Sequence, residues 1–147
     1  MVELRQITQH NFDEVINIKV AEHQQAFVST VAYSLAQAWL YNATAFPFAI
    51  YADDTIVGFV MLGYYEKRNQ YTLWKFLIDE KYQAKGYGKK ALSLSINYLV
   101  ENFNAEKIYI GVSLENQVAK KLYSSFGFKE TGKIENGMEE LIYTVKS

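Results

Sequence analysis

The spacing of hydrophobic and polar residues divides the first third of the chain into one strand and two helices. Val2 to Ile7 alternates weakly, as a half-buried strand does. Asn11 precedes Glu14 by three residues, which is the spacing of a capping box, and a helical pattern follows it. Ser29 can cap a second apolar stripe, and Pro47 just beyond that stripe fits a helix-to-strand boundary.

The rest of the chain predicts strands joined as hairpins, then strands separated by helices. Polar turns at Asp53-Asp54 and Asn136-Gly137 separate neighbouring strands. The predicted elements are the strands Phe48 to Tyr51, Thr55 to Tyr65 and Tyr71 to Asp79, the helix Gly88 to Asn102, the strand Lys107 to Val112, the helix Gln117 to Phe126, and the strands Phe128 to Gly132 and Met138 to Val145. The order is therefore β-α-α-β-β-β-α-β-α-β-β.

This order predicts an α/β class fold, with a mixed sheet and helices on both of its faces. A crossover from the strand before the long helix to Lys107–Val112 would make a parallel step at the centre of the sheet. The chain has 147 residues, the length of an ordinary single domain, so we expect one domain over 1–147.

The composition of the chain argues against several classes of function. A net charge of -1 argues against nucleic-acid binding, which usually shows a basic excess. The chain has no cysteine, and His10 and His23 lie outside any paired ligand motif, so we expect no metal site. A signal peptide and a membrane-spanning apolar run are both missing from the pattern, which predicts a cytoplasmic protein without a membrane partner.

Aromatic residues are unusually frequent. They make up 16% of the chain, with 12 Tyr and 9 Phe. Two explanations stay open at this point. The rings can form the core, since large rings dominate the burial in protein cores, or they can line a cleft for a flexible cationic ligand.

The segment Gln83-Ala84-Lys85-Gly86-Tyr87-Gly88-Lys89-Lys90 carries the clearest chemical signal. It links a predicted strand to a predicted helix. The first N–H groups of a helix have no internal partner, and the helix dipole is positive at that end. Two glycines let the backbone approach a ligand, and the lysines add positive charge. The segment therefore predicts a site for a phosphate-bearing cofactor.

Three glycine motifs compete for this segment. A P-loop is excluded, because Lys89 is followed by Lys90 where that motif needs Ser or Thr. The dinucleotide fingerprint matches Gly86, Gly88 and Ala91 literally, but six residues separate it from the strand end at Asp79. The third pattern is Gln/Arg-x-x-Gly-x-Gly/Ala, which Gln83, Gly86 and Gly88 fulfil.

A second signature lies downstream, Asn-x-x-Ala-x-x-Leu-Tyr-x-x-x-Gly-Phe from Asn116 to Phe128. Together with the third glycine pattern and the order of elements, it resembles the GNAT superfamily of N-acetyltransferases over nearly the whole chain. The resemblance implies acetyl-CoA as cofactor and Tyr123 as the general acid that protonates the leaving thiolate.

The resemblance also implies where the cofactor binds. The backbone from Lys85 to Lys89 would hold the pyrophosphate, and the end of the preceding strand would pair with the pantetheine arm. Lys120 and Lys121 could reach cofactor phosphates, although a solvated helix face explains them equally well. The residues expected at the cofactor are Leu77, Ile78, Asp79, Gln83, Ala84, Lys85, Gly86, Tyr87, Gly88, Lys89, Asn116, Lys120 and Tyr123.

The acceptor is suggested by less specific matches. The segments 19–28, 33–36 and 74–79 resemble bacterial spermine/spermidine acetyltransferases. A polycation favours carboxylates and aromatic faces along its groove. This predicts a polyamine acceptor held by Glu22, Tyr33, Tyr64, Glu66 and Trp74.

The chemistry of the acceptor leaves alternatives open. An alkylammonium must lose a proton before it attacks, and Glu22, Asp79, Glu115 or a water chain could take that proton. The acceptor could also be a protein α-amine, a lysine or an aminoglycoside, and a CoA-binding sensor without catalysis is a further alternative. Dimers are common in the family, so a homodimer is expected by resemblance alone.

Overall fold

The computed structural model describes residues 1–27 and 29–145. Its strands are β1 (Val2–Gln6), β2 (Ala45–Ala52), β3 (Thr55–Tyr65), β4 (Gln70–Ile78), β5 (Lys107–Ser113), β6 (Lys129–Glu135) and β7 (Met138–Thr144). Its α-helices are α1 (Phe12–Ile16), α2 (Val31–Leu40), α3 (Tyr87–Phe103) and α4 (Gln117–Phe126). Short 3-10 turns occur at Glu22–Phe27, Glu66–Arg68 and Glu80–Tyr82.

Within the described residues, the strands form one mixed sheet in the order β1-β2-β3-β4-β5-β7-β6. The pair β4–β5 is parallel, and the neighbouring pairs are antiparallel. The predicted fold class, the order of elements and the parallel step are therefore confirmed. The Asn136-Gly137 turn is also confirmed, since both residues have the positive φ, 54° and 76°, that a tight hairpin turn requires.

Three local predictions in the first third of the chain were wrong. The Asn11 side chain accepts from the Thr8 N–H at 2.8 Å and makes no capping bond to α1, which is only five residues long. Thr30, and not Ser29, caps α2 by accepting from the Tyr33 N–H at 3.1 Å. Pro47 lies inside β2, where β1 no longer pairs with it, so its missing N–H is tolerated.

Two hydrophobic clusters cover the two faces of the sheet. One packs α3, through Leu92, Ile96 and Leu99, against the central strands and includes Tyr123 of α4. The other packs α1 and α2 against β2, β3 and the end of β4, around Phe59 and others. The prediction of helices on both faces is confirmed. No helix in the part of the chain that the structure describes is long and apolar enough to span a membrane.

A bulge changes the direction of side chains in β4. Met61 pairs with Lys75 while Leu62 pairs with Leu73, so Trp74 is an extra residue in β4. Because of the bulge, Trp74 and Lys75 both lie on the side of the sheet that α2 covers. There Trp74 packs against the second cluster, and Lys75 reaches Ser29 just before α2.

The parallel strands β4 and β5 separate after a short contact. They pair only at Tyr71 with Ile108 and at Thr72 with Tyr109. Beyond these two pairs, the backbone of β4 runs on to Ile78 without pairing to β5. The sheet therefore has a V-shaped opening that faces the carboxyl ends of both strands, which is where ligands of open α/β sheets bind.

A glycine in β3 keeps the end of β4 in place, and replacing it tests this packing. A Cβ on Gly58 would lie 2.5 Å from the Leu77 carbonyl oxygen and 3.0 Å from Ile78 Cδ1. We expect Gly58→Ala to lower the free energy of unfolding by about 3 kcal/mol, since the backbone must shift. Denaturant unfolding measures this. Gly111→Ala is the control, because its Cβ would meet only Met138 Cε at 3.7 Å; an equal loss in both variants would contradict the packing argument.

Candidate active site

The turn between β4 and α3 has the geometry of an anion cradle. Ala84 and Gly86 have positive φ, 63° and 84°, on either side of Lys85. Gly86 is the N-cap of α3, so the N–H groups of the first helical turn point to the same place. Left-handed residues in a turn can direct successive N–H groups toward one point, which suits an anion. Nothing lies within 4 Å of a Cβ built on Gly86, so the space in front of the turn is open.

The Gln83 amide positions this turn. Its Nε2 donates to the Ile78 carbonyl oxygen and to Gln24 Oε1, both at 2.9 Å. Gln24 is buried, and its Oε1 also accepts from the Ala21 N–H at 3.3 Å. The side chain of Gln83 therefore links the glycine turn to the 3-10 turn Glu22–Phe27. Gln24 was not predicted as a site residue, because an isolated glutamine matches no motif.

A groove of about 350 Å³ runs between the end of β4, the glycine turn and α4. We call it the turn groove. The structure brings most of the expected cofactor residues together on its walls, and these are Leu77, Ile78, Gln83, Ala84, Gly86, Tyr87, Gly88, Lys89, Asn116 and Tyr123.

Asp79, Lys85 and Lys120 do not line the turn groove. The buried Asp79 carboxylate accepts from the Lys81 N–H at 3.0 Å and from the Lys19 N–H at 3.4 Å. Lys120 Nζ lies 2.7 Å from carboxylate oxygens of Glu130 and Glu139. These hydrogen bonds raise the pKa of Lys120 and hold its ammonium away from the groove. The contacts of Asp79, Lys85 and Lys120 to a cofactor stay predictions.

Tyr123 lies where the turn groove meets the opening between β4 and β5. Its ring packs edge-on against Phe76 at 6.3 Å and Phe128 at 5.8 Å between ring centroids. Burial raises the pKa of the Tyr123 phenol, so the hydroxyl stays protonated at neutral pH and can donate. Asn116 lines both spaces too. Its Oδ1 accepts from the Ala119 N–H at 3.3 Å and caps α4, which leaves its amide N–H groups as donors.

The opening between β4 and β5 holds a second cavity of about 170 Å³, which we call the strand cleft. Phe76 and Leu77 form one wall and Ile110 to Ser113 form the other. Tyr123 closes one end, and Lys75 enters from the α2 side. Lys75 is a feature that sequence reasoning missed, since only the bulge at Trp74 places it there.

A third space, of about 520 Å³, lies between α2 and the hairpin of β3 and β4. We call it the aromatic groove. Its walls include Tyr41, Tyr64, Tyr65 and Trp74, and Trp74 also lines the strand cleft. The remaining described wall residues are Gln37, Thr44, Glu66, Lys67 and Thr72. Of all these wall residues, only Tyr64, Glu66 and Trp74 were predicted from the sequence.

The structure brings only some of the predicted acceptor residues together. Tyr64, Glu66 and Trp74 share the aromatic groove. Tyr33 is exposed on α2, and its ring centroid lies 5.9 Å from Lys75 Nζ. Glu22 is exposed on its 3-10 turn and lines neither the strand cleft nor the aromatic groove.

The carboxylates considered as general bases lie outside the strand cleft. Within the described residues, Glu22, Asp79 and Glu115 are not part of its walls. Glu22 and Glu115 are exposed, and the Asp79 carboxylate is occupied by backbone N–H groups. Proton loss through water to one of them is the route that this arrangement leaves open.

Comparison with known proteins identifies the family. Residues 5–128 match the family model described as Acetyltransferase (GNAT) family, and the chain belongs to that family. It is an N-acetyltransferase that uses acetyl-CoA as cosubstrate. The resemblance, the class of enzyme and the cosubstrate that the sequence predicted are thereby confirmed.

Several relatives are similar over different parts of the chain. The spermine/spermidine N(1)-acetyltransferase of Bacillus subtilis is 29% identical over 147 residues, which covers 96% of each chain. The [ribosomal protein bS18]-alanine N-acetyltransferase of Haemophilus ducreyi is 36% identical over 78 residues, covering 53% of this chain and 52% of that protein. The structure of spermidine N-acetyltransferase from Vibrio cholerae, in complex with CoA and spermine, superposes with a TM-score of 0.76 at 19% identity, covering 97% and 95%.

Proposed function

We propose that the enzyme transfers the acetyl group of acetyl-CoA to a primary amine of a polyamine such as spermidine or spermine. The observation that carries this proposal is the aromatic groove beside the strand cleft. Tyrosine and tryptophan faces together with the Glu66 carboxylate are the groups that bind an ammonium. The full-length similarity to a spermine/spermidine acetyltransferase supports the same substrate class.

The cosubstrate fits the turn groove. We infer that the N–H groups of the glycine turn hold the pyrophosphate, because Gly86 leaves open space there. The unpaired edge of β4 is available to hydrogen-bond the pantetheine arm as an added strand. This arm would direct the thioester into the strand cleft, next to Tyr123.

Within the cleft, this chain provides a proton donor. The acceptor nitrogen, as the free amine, attacks the thioester carbonyl carbon, so that a C–N bond forms and the C–S bond breaks. We propose that the Tyr123 hydroxyl protonates the departing sulfur. The proton that the acceptor nitrogen loses passes to water, and the Tyr123 phenol regains its proton from solvent.

The polyamine would occupy two of the spaces. Its reacting amine lies in the strand cleft, and a second ammonium lies in the aromatic groove, with Trp74 as the wall that both share. Tyr41 packs edge-on against Trp74 at 5.8 Å and holds this wall in place.

The homodimer expected from the family resemblance stays a prediction.

A panel of amines tests the acceptor. Release of free CoA from acetyl-CoA is measured with spermidine, spermine, putrescine, butylamine, lysine, an aminoglycoside and an alanine-terminated peptide. We expect fast turnover with spermidine and spermine and slow turnover with butylamine, which has no second ammonium. Preference for the peptide would replace the polyamine with a protein α-amine, as in the bS18-alanine acetyltransferase, and would leave the acetyltransferase assignment intact.

Glu66→Gln tests the aromatic groove. We expect the KM for spermidine to rise about fivefold while the KM for butylamine stays unchanged, because one exposed ion pair is lost. Glu101→Gln, an exposed glutamate on α3, is the matched control. Glu22→Gln tests the other predicted carboxylate. A rise in the spermidine KM with Glu22→Gln alone would move the second ammonium out of the aromatic groove.

A further inference from the structure

Among the described residues that line the strand cleft, Lys75 has the only charged side chain. Its Nζ donates to Ser29 Oγ at 2.9 Å. The rings of Tyr33 and Trp74 lie 5.9 and 6.0 Å from Nζ, measured to their centroids. An amine of this chain therefore lies at the cleft in which we place acetyl transfer, on the side toward α2.

Burial makes it easier for the Lys75 ammonium to lose a proton. The side chain is half-buried, and burial lowers the pKa of its ammonium. Ser29 and two aromatic rings are its neighbours, and no carboxylate of the described residues pairs with it. A neutral lysine is a nucleophile, whereas the ammonium form is not.

We propose that the Lys75 amine is an internal acetyl acceptor and that the enzyme acetylates itself there. The Lys75 nitrogen attacks the carbonyl carbon of acetyl-CoA, so the C–N bond forms as the C–S bond breaks. The sulfur leaves with the proton of Tyr123, and the proton lost by the Lys75 nitrogen passes to water. The products are Nε-acetyl-Lys75 and CoA. The proposal depends on acetyl transfer in the strand cleft and not on the polyamine.

Mass spectrometry tests the proposal directly. The purified enzyme is incubated with acetyl-CoA in the absence of an amine, and acetylation of each lysine is followed by peptide mapping. We expect Lys75 to be acetylated at least about tenfold faster than Lys107, an exposed lysine that lines none of the three spaces, because Lys75 lines the cleft in which we place the thioester. Excess CoA should slow the reaction at Lys75 by occupying the turn groove.

Three variants separate self-acetylation from chemical background. Lys75→Arg keeps a cationic side chain but removes the acceptor amine. The peptide that contains residue 75 should then carry no acetyl group. Lys107→Arg should leave the rate at Lys75 unchanged, since Lys107 is exposed at the start of β5. Tyr123→Phe should slow acetylation of Lys75 about tenfold or more and leave background acetylation of Lys107 unchanged.

Either of two results would overturn the proposal. One is that Lys75 stays unmodified while the enzyme turns over an added amine. The other is that Lys75 and Lys107 are acetylated at equal rates that Tyr123→Phe does not change. Failure of the amine panel to show polyamine turnover would affect only the proposed substrate, since the peptide map is recorded without any added amine.

Discussion

Replacing Tyr123 by phenylalanine is expected to lower kcat for acetyl transfer by about 100-fold while acetyl-CoA still binds. The ring keeps its edge-on contacts to Phe76 and Phe128, so the packing of α4 against the sheet is retained. The variant loses only the hydroxyl, and general acid catalysis contributes about 10² to 10⁴ in rate. Steady-state kinetics and a direct binding measurement of acetyl-CoA separate the two effects.

The pH profile gives a second readout. Because burial raises the pKa of the Tyr123 phenol, the acid form persists above the pH at which an exposed tyrosine ionises. The wild-type rate should therefore not fall up to about pH 10. Tyr98→Phe is the control, since Tyr98 packs among Phe46, Phe48 and other rings away from the cleft. Unchanged kcat in Tyr123→Phe would show that another donor protonates the sulfur.

Replacing Gly86 by alanine is expected to weaken acetyl-CoA binding about 30-fold. The new methyl group would project into the open space in front of the glycine turn, where we place the pyrophosphate. Charge-assisted hydrogen bonds from the turn would lengthen, and losing one or two of them costs about 2 kcal/mol. Titration calorimetry with acetyl-CoA measures the Kd of both proteins.

Gly132→Ala is the matched control for Gly86→Ala. Gly132 has a φ of 90°, close to the 84° of Gly86, and its Cβ would also meet nothing within 4 Å. Gly132 lies in β6, so both variants should lose about 1 kcal/mol of stability from the left-handed backbone. Only Gly86→Ala should weaken binding. Equal Kd values for acetyl-CoA in the two variants would contradict the phosphate site at the turn.

The parts of the fold that could be predicted depend on local chemistry. The limits of β3, Thr55–Tyr65, and of α4, Gln117–Phe126, agree with the sequence prediction, because periodicity and flanking turn residues mark both ends. The one-turn α1, the strand position of Pro47 and the bulge at Trp74 were not predicted. Each of these three features depends on the strand that packs beside it, and the neighbouring residues in the sequence do not determine which strand that is.

The candidate site also has a part that local sequence predicts and a part that it does not. The glycine turn is contiguous in sequence, and most of its predicted residues share the turn groove. The walls of the other two spaces come from elements far apart in the chain, so Lys75, Gln37 and Tyr41 were missed. Of the predicted acceptor residues, Tyr64 and Trp74 do meet in the aromatic groove, because both lie in the β3–β4 hairpin.

The short contact between β4 and β5 has a mechanical meaning. Two residue pairs join the β1–β4 part of the sheet to the part formed by β5, β7 and β6. The sheet therefore has two parts that two residue pairs join, and the inner edges of β4 and β5 beyond those pairs are open to hydrogen bonds from a bound molecule. We expect a cosubstrate bound between β4 and β5 to fix the spacing between these two parts, and with it the shape of the strand cleft.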